Sequence, residues 1–188
     1  MKFNKFFKVV AAIAVMPMFF SCGAPKSVTS DLKEVTTPLS EPRHKSDANY
    51  FRATGTGTSP DLVTAKKIAT LNARTEIAGA IQTTMKTVSE QYVNQVTVGD
   101  KLEFAQKFEE TSRQVINQVL EGVIVKEEKV FQDKAGKYQY YINVEMPKEP
   151  VVKNAVDAIS KDEKLALEFD KFQFQKTFDA EMAKFENQ

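Results

Sequence analysis

The hydrophobic pattern opens with a short apolar run over residues 9–20. Only basic charges precede that run, on Lys2, Lys5 and Lys8. A basic segment, a short apolar segment and a small residue such as Ser21 at the cut are typical of a secretory signal. A transmembrane helix needs about 20 apolar residues, and this shorter run also contains Pro17. We therefore predict a signal peptide over residues 1–21.

Residues 22–49 have no apolar periodicity. Prolines, serines, threonines and scattered charges dominate this stretch, and its one histidine is His44. Such a composition buries too little apolar surface to offset the entropy of ordering. We predict a flexible tether over 22–49, in which His44 is a solvated residue with no ligand role.

Alternation of residue type over 50–58 predicts a β-strand. One face of that strand carries Phe51, Ala53, Gly55 and Gly57. A helix start follows, with Ser59 as the capping residue and Pro60 at the first helical position. The helix is predicted to run to about Tyr92. Its inward stripe has the three- and four-residue spacing of an amphipathic helix and consists of Leu62, Ala65, Ala69, Ala73, Ile77, Ala80, Thr84 and Val88.

The glycines at the end of this strand have two interpretations. A strand, glycines and a helix start also form dinucleotide sites, where a pyrophosphate binds at the helix N-terminus. Here Pro60 replaces the third glycine of that fingerprint, and no P-loop lysine follows. Gly55 and Gly57 instead face an alanine-rich helix stripe, which favours close packing of the two backbones. A bulky Gly55→Val substitution is then expected to destabilise the fold.

The pattern in the rest of the chain predicts two more strands and several helices. A helix is indicated over 101–121, followed by two antiparallel strands over 123–131 and 138–146. A short helix is indicated over 151–159, and a longer helix is indicated over 161–186. The predicted fold is α+β: a small antiparallel sheet of about three strands packed against a long N-terminal helix, with further helices including a C-terminal one.

The predicted domain organisation follows from these segments. An α+β domain occupies residues 50–148, after the tether, and a C-terminal helical extension occupies residues 149–188. The last predicted helix has apolar residues on two nearly opposite sides. One side carries Leu165, Phe169, Phe172 and Ala183, and the other carries Leu167, Phe174, Phe178, Met182 and Phe185.

Two apolar faces on one helix require two covering elements. The second face, Leu167, Phe174, Phe178, Met182 and Phe185, is our predicted partner surface, for another protein or for a second copy of the chain. The alternative is that another helix of the same chain, such as 101–121, covers it. Binding along a membrane is disfavoured because acidic residues on this helix would face anionic lipid.

Charge and composition exclude several functions. Removal of the three signal lysines leaves 23 basic and 25 acidic side chains, a net charge of −2. This near balance offers no basic surface for nucleic acid. The one histidine lies in the predicted tether, so the predicted domain offers no histidine for a hydrolytic triad or a zinc site. The side chains within the adjacent pairs Glu109-Glu110 and Glu127-Glu128 point apart, which disfavours a glycosidase pair. We predict no enzyme, cofactor or metal; the alternative is a carboxylate-dependent enzyme acting on envelope glycans.

Cys22 is the only cysteine of the chain. The sequence Phe19-Phe20-Ser21-Cys22 resembles the lipoprotein box of bacterial signal peptides, whose cysteine receives a diacylglycerol before cleavage. That resemblance implies lipidation at Cys22 and an envelope location facing the periplasm. The residue after Cys22 is Gly23 and not the aspartate that would resemble an inner-membrane retention signal, so the outer membrane is favoured. A plain secretory signal with a chance cysteine is the alternative.

Further residues resemble a protein family. They are the run Ala-Thr-Gly-Thr-Gly at 53–57, the helix positions Ala65, Ala69, Ala73, Arg74 and Ile77, and the later Gly-Val-Ile-Val at 122–125. This pattern resembles the LPP-twenty family of small bacterial lipoproteins and is similar to the N-terminal domain of flagellar assembly protein T. The resemblance implies an envelope lipoprotein and no catalytic residue. We therefore expect a non-catalytic, lipid-anchored envelope protein that binds or scaffolds an envelope protein or cell-wall partner.

Overall fold

The computed structural model describes residues 35–96, 99–167 and 169–187, and Thr36 is the first residue of the folded unit. The predicted signal peptide and Cys22 lie outside the described residues. Eight regular elements follow one another: β1 Tyr50–Ser59, α1 Leu62–Gln95, α2 Lys101–Val119, β2 Ile124–Gln132, β3 Tyr138–Pro147, α3 Lys148–Lys161, α4 Glu163–Ala166 and α5 Lys171–Ala183. Short 3-10 turns occupy Pro42–His44, Leu120–Gly122 and Lys184–Asn187.

The predicted α+β fold is confirmed. The three strands form one antiparallel sheet in the order β1-β3-β2, so β3 is central and the other two strands are edges. The hairpin between β2 and β3 turns where the sequence predicts. Asp133 accepts hydrogen bonds from the backbone amides of Ala135 and Lys137, both at 2.9 Å, and Gly136 adopts the positive φ of 82° that the turn requires.

Helix α1 packs on β1 and β3 and covers one face of the sheet, here called the inner face. Its predicted stripe is confirmed from Ala65 to Val88, except that Ala80 is only partly buried, whereas Leu62 is exposed. The predicted cap is wrong by two residues. Ser59 still pairs with Tyr138 in the sheet, so the helix starts later, and Asp61 accepts from the Thr64 amide at 2.7 Å.

The C-terminal segment differs from the single long helix predicted over 161–186. It breaks between α4 and α5, where Asp170 caps α5 by accepting a 2.9 Å hydrogen bond from the Gln173 amide. Helices α3 and α5 belong to the same compact unit as the sheet. Asp170 caps the start of a new helix at this break, and apolar periodicity alone does not reveal such a start.

An aromatic cluster fills the space between the helices. The ring of Tyr92 in α1 lies 5.6 Å from that of Phe108 in α2 and 5.8 Å from that of Phe174 in α5. Phe108 and Phe174 are themselves 5.6 Å apart, and the Tyr92 hydroxyl accepts a 2.7 Å hydrogen bond from the Asp170 amide. The second apolar face of the C-terminal helix is therefore covered from within the chain, which was the alternative interpretation.

Candidate functional site

Residues 36–46 cross the face of the sheet opposite α1, here called the outer face, and we name them the strap. Leu39 and His44 are 2% and 3% exposed. The prediction of a flexible tether is therefore wrong over 36–49, and so is that of a solvated His44. The strap turns at Leu39, which has the positive φ of 59° that non-glycine residues rarely adopt. Burial of the Leu39 side chain offsets that strain.

Asn143, at the centre of β3, joins the strap to the sheet. Its side-chain amide donates to the His44 carbonyl at 2.9 Å, to the Ala53 carbonyl at 3.2 Å and to Thr54 Oγ1 at 2.8 Å. Thr54 Oγ1 in turn donates to the Leu39 carbonyl at 3.1 Å. Buried backbone carbonyls of the strap thus obtain partners from side chains of the sheet. The sequence signal for this role is an asparagine within an otherwise apolar central strand.

His44 holds the strap against β2. Its ring is fully buried, and Nε2 lies 2.9 Å from Glu127 Oε2 in β2. On the other side Nδ1 lies 2.7 Å from Glu41 Oε2, outside the geometry of a ring N–H hydrogen bond. The hydrogen bond from His44 lowers the pKa of Glu127, and Arg43 adds to the effect. A carboxylate thus faces each ring nitrogen.

Arg52 in β1 is the second fixed charge of the outer face. Its Nε donates to Glu145 of β3 at 3.0 Å, and its Nη1 contacts both the Asp47 carboxylate and the Lys45 carbonyl. Burial acts to raise the pKa of Glu145, but hydrogen bonds from Lys126 and Arg52 outweigh it, and the pKa falls below its ordinary value. The acids of this face are therefore held ionised.

A cleft of about 820 Å³ lies between the strap and β1. Its lining is mainly hydroxyl, amide and aromatic, and includes Thr37, Ser40, Thr56, Gln139, Tyr141 and Phe185. No carboxylate lines it. In the described part of the chain, moreover, every carboxyl group whose pKa is shifted has it lowered: Glu41, Asp47, Asp61, Glu127, Glu128 and Glu145. A glycosidase needs a general acid with a raised pKa, so these groups do not supply that chemistry.

The β1 edge of the sheet is partly covered. Ser46 Oγ accepts from the Arg52 amide at 2.9 Å and donates to its carbonyl, while Asp47 bonds both backbone groups of Tyr50. Asn72 of α1 donates to the Thr56 carbonyl at 2.8 Å. The outward-pointing backbone groups of Tyr50 and Arg52 and the carbonyl of Thr56 thus obtain side-chain or loop partners, which is how natural sheets protect an edge.

The β2 edge is open. In β1 the backbone N–H and C=O groups of the even-numbered residues point away from β3. Because these directions alternate along antiparallel ladders, the registers of the two strand pairs place the backbone groups of Glu128, Val130 and Gln132 on the side of β2 away from β3. Within the described residues, no hydrogen bond joins the β2 backbone to any element other than β3. Four apolar side chains on this strand are about half exposed, namely Ile124, Val125, Val130 and Phe131.

The predicted partner surface is only partly exposed. Phe174, Phe178 and Met182 are fully buried, so the prediction is wrong for these three, because α1 and α2 pack on them. Phe185 is partly buried and its ring lies 6.3 Å from that of Phe51. Leu167 alone of the five is largely exposed, at 88%.

Comparisons with known proteins found no matching family model, no matching curated protein and no matching solved structure. Among the described helices, none combines the length and the apolar character needed to cross a membrane. The described residues also contain no cluster of three or more histidine, cysteine or acidic side chains arranged to hold a metal ion. The geometry of the site therefore carries the functional argument.

Proposed function

We propose that this chain is a non-catalytic, lipid-anchored protein of the bacterial cell envelope whose domain binds or scaffolds a partner protein. The observation that carries this proposal is the open β2 edge, where outward backbone groups that no described residue pairs lie beside half-exposed apolar side chains. Such an edge is a template for an added strand. The resemblance to the LPP-twenty lipoproteins supports the same assignment.

The chemistry of the outer face supports binding over catalysis. Acids beside the strap are paired with cations, as Glu145 is with Arg52 and Lys126 and Glu127 is with Arg43. Paired, ionised carboxylates hold structure in place and are poor proton donors. The cleft beside the strap offers hydroxyl and amide groups without a facing pair of acids.

Anchoring is tested at Cys22. Two acyl chains or more hold a protein stably on a membrane, whereas an unlipidated protein lacks that anchor. We expect Cys22→Ser to move the protein from the membrane fraction to the soluble fraction, measured by fractionation and by mass spectrometry of the N-terminal peptide. Recovery of Cys22→Ser as a normally processed, membrane-bound protein would overturn the anchor.

Partner binding is tested at Val130, whose amide points away from the sheet. Val130→Pro removes that outward N–H without removing a bond to β3, so added strands lose a hydrogen bond while the fold persists. We expect cross-linking and affinity capture from native membranes to recover a reproducible partner with the parent chain and to lose it with Val130→Pro.

The matched control is Val130→Thr, which keeps the amide and the β-branched shape. Thermal unfolding should show that all three proteins are folded. If the parent chain and Val130→Thr recover no reproducible partner, or if Val130→Pro captures one equally well, the β2 edge is not a binding site and the proposal loses its basis.

A further inference from the structure

The charges near the midpoint of β2 are positive, negative, negative and positive, in the order Lys126, Glu127, Glu128, Lys129. From this order and the open edge we infer that β2 pairs antiparallel with β2 of a second copy of this chain. The pairing is centred on Glu128 and joins two three-stranded sheets into one of six strands. This inference rests on the proposed function, because it names the partner that the edge accepts.

The register follows from the direction of the backbone groups. An antiparallel self-pairing centred on Glu128 makes that residue a hydrogen-bonded pair with its own copy, which requires its amide and carbonyl to point outward. The alternation along the sheet places them so. Residues Glu127 and Lys129, whose backbone groups point toward β3, then form the flanking non-hydrogen-bonded pairs.

Charges match in this register. Glu127 of one copy stands opposite Lys129 of the other, and the two-fold symmetry repeats the pair on the other side. Opposite charges across an antiparallel pair are favourable. The two central Glu128 residues face each other, but each already carries its own cation, since Lys66 Nζ lies 2.9 Å from Glu128 Oε2.

The β-bulge makes the apolar residues match as well. The pairing of β2 with β3 shifts between Val125 and Glu127, which inserts Lys126 as an extra residue. Beyond the bulge, Val125 then stands opposite Val130 of the second copy, and both face the inner side. Ile124 stands opposite Phe131, and both face the outer side. Without the bulge Val130 would stand opposite Lys126, and Ile124 would stand opposite Gln132.

The interface is narrow, since one strand from each copy forms it, so association in dilute solution is expected to be weak. Anchoring many copies on one membrane raises their effective concentration. Charged side chains on an edge strand usually discourage pairing. Here the order of the charges restricts pairing to a strand that carries the complementary order, which a second copy supplies.

Disulfide cross-linking in native membranes tests the register. Paired residues in an antiparallel sheet have Cα atoms about 5.5 Å apart, which is within the range that a disulfide spans. We expect Glu128→Cys in the full chain to form a covalent dimer under mild oxidation. The lipidated Cys22 has no free thiol to compete.

Two single-cysteine controls define the expected result. Gln132→Cys lies on the same strand, but its two copies would be on the order of 25 Å apart in this register, so it should form at least ten times less dimer. Thr58→Cys, on the β1 edge at the opposite side of the sheet, should also stay monomeric. Equal cross-linking by Gln132→Cys or Thr58→Cys, or none by Glu128→Cys, would overturn the self-pairing.

The outcome also separates this inference from the proposed function. If Glu128→Cys links to a different envelope protein and forms no dimer, self-pairing is wrong and partner binding stands. If Glu128→Cys links to nothing, and the Val130 experiment recovers no partner, both fail. A dimer of Glu128→Cys that disappears when Val130→Pro is added supports both.

Discussion

Replacing Gly55 by valine is expected to remove most of the stability of this domain. An ideal Cβ at Gly55 would lie 2.2 Å from the Ala73 backbone nitrogen and 2.3 Å from the Ala69 carbonyl oxygen in α1. These are backbone atoms of a packed helix, so no flexible side chain can move aside. Overpacking commonly costs 1–3 kcal/mol, and we expect about 3 kcal/mol or more here because the whole of α1 must shift.

The measurement is thermal or urea unfolding of the purified chain. For a domain of this size about 3 kcal/mol corresponds to a fall in Tm of roughly 10 °C. Gly79→Ala is the matched control, because a Cβ there meets no atom within 4 Å and alanine is the better helix former by about 1 kcal/mol. A Gly55→Val protein that melts with the parent chain would refute close packing as the role of this glycine.

The contact of β1 with α1 shows why part of this fold is readable from sequence. Gly55 and Gly57 alternate on one strand face, and Ala65, Ala69 and Ala73 repeat along one helix stripe. The glycines follow the two-residue period of a strand, and the alanines follow the 3.6-residue period of a helix. Each pattern indicates a surface of small residues that allows another backbone to approach closely. Their agreement predicted which face of the strand meets which face of the helix.

The strap could not be predicted in the same way. Its burial depends on two side chains, Leu39 and His44, within a stretch of prolines and polar residues that has no period. His44 is held by Glu127, which is 83 residues away in sequence, and the strap carbonyl is held by Asn143 at a distance of 99 residues. Local composition indicates how much a segment could bury by itself. Local composition contains no information on the outer face of the sheet, which α1 leaves uncovered and on which the strap is buried.

The open β2 edge was also hidden in the sequence. The alternation that predicts a strand does not tell a central strand from an edge strand, and the order β1-β3-β2 is needed for that. Once the order is known, the bulge and the run Lys126–Lys129 acquire a meaning. The charges of this run, of which the sequence showed only that Glu127 and Glu128 point apart, become the groups that determine which strand can add to the sheet.

Replacing Phe174 by alanine is expected to cost about 3–5 kcal/mol, the usual cost of deleting a buried aromatic ring. Phe174 is fully buried and its ring contacts those of Tyr92, Phe108, Phe169 and Phe178, which come from α1, α2 and the C-terminal segment. The deletion would leave a cavity where three parts of the helical layer meet, and the helices cannot all close it at once.

Phe172→Ala is the matched control, two residues earlier in the same helix. Its side chain is 78% exposed, so its removal should change the free energy of unfolding by less than about 0.5 kcal/mol. Urea unfolding of both variants measures the difference, and equal stabilities would contradict the described packing of α5. The pair also decides how a binding experiment is interpreted: a Phe174 variant that captures no partner would report unfolding, whereas Val130→Pro tests the edge with the helical core intact.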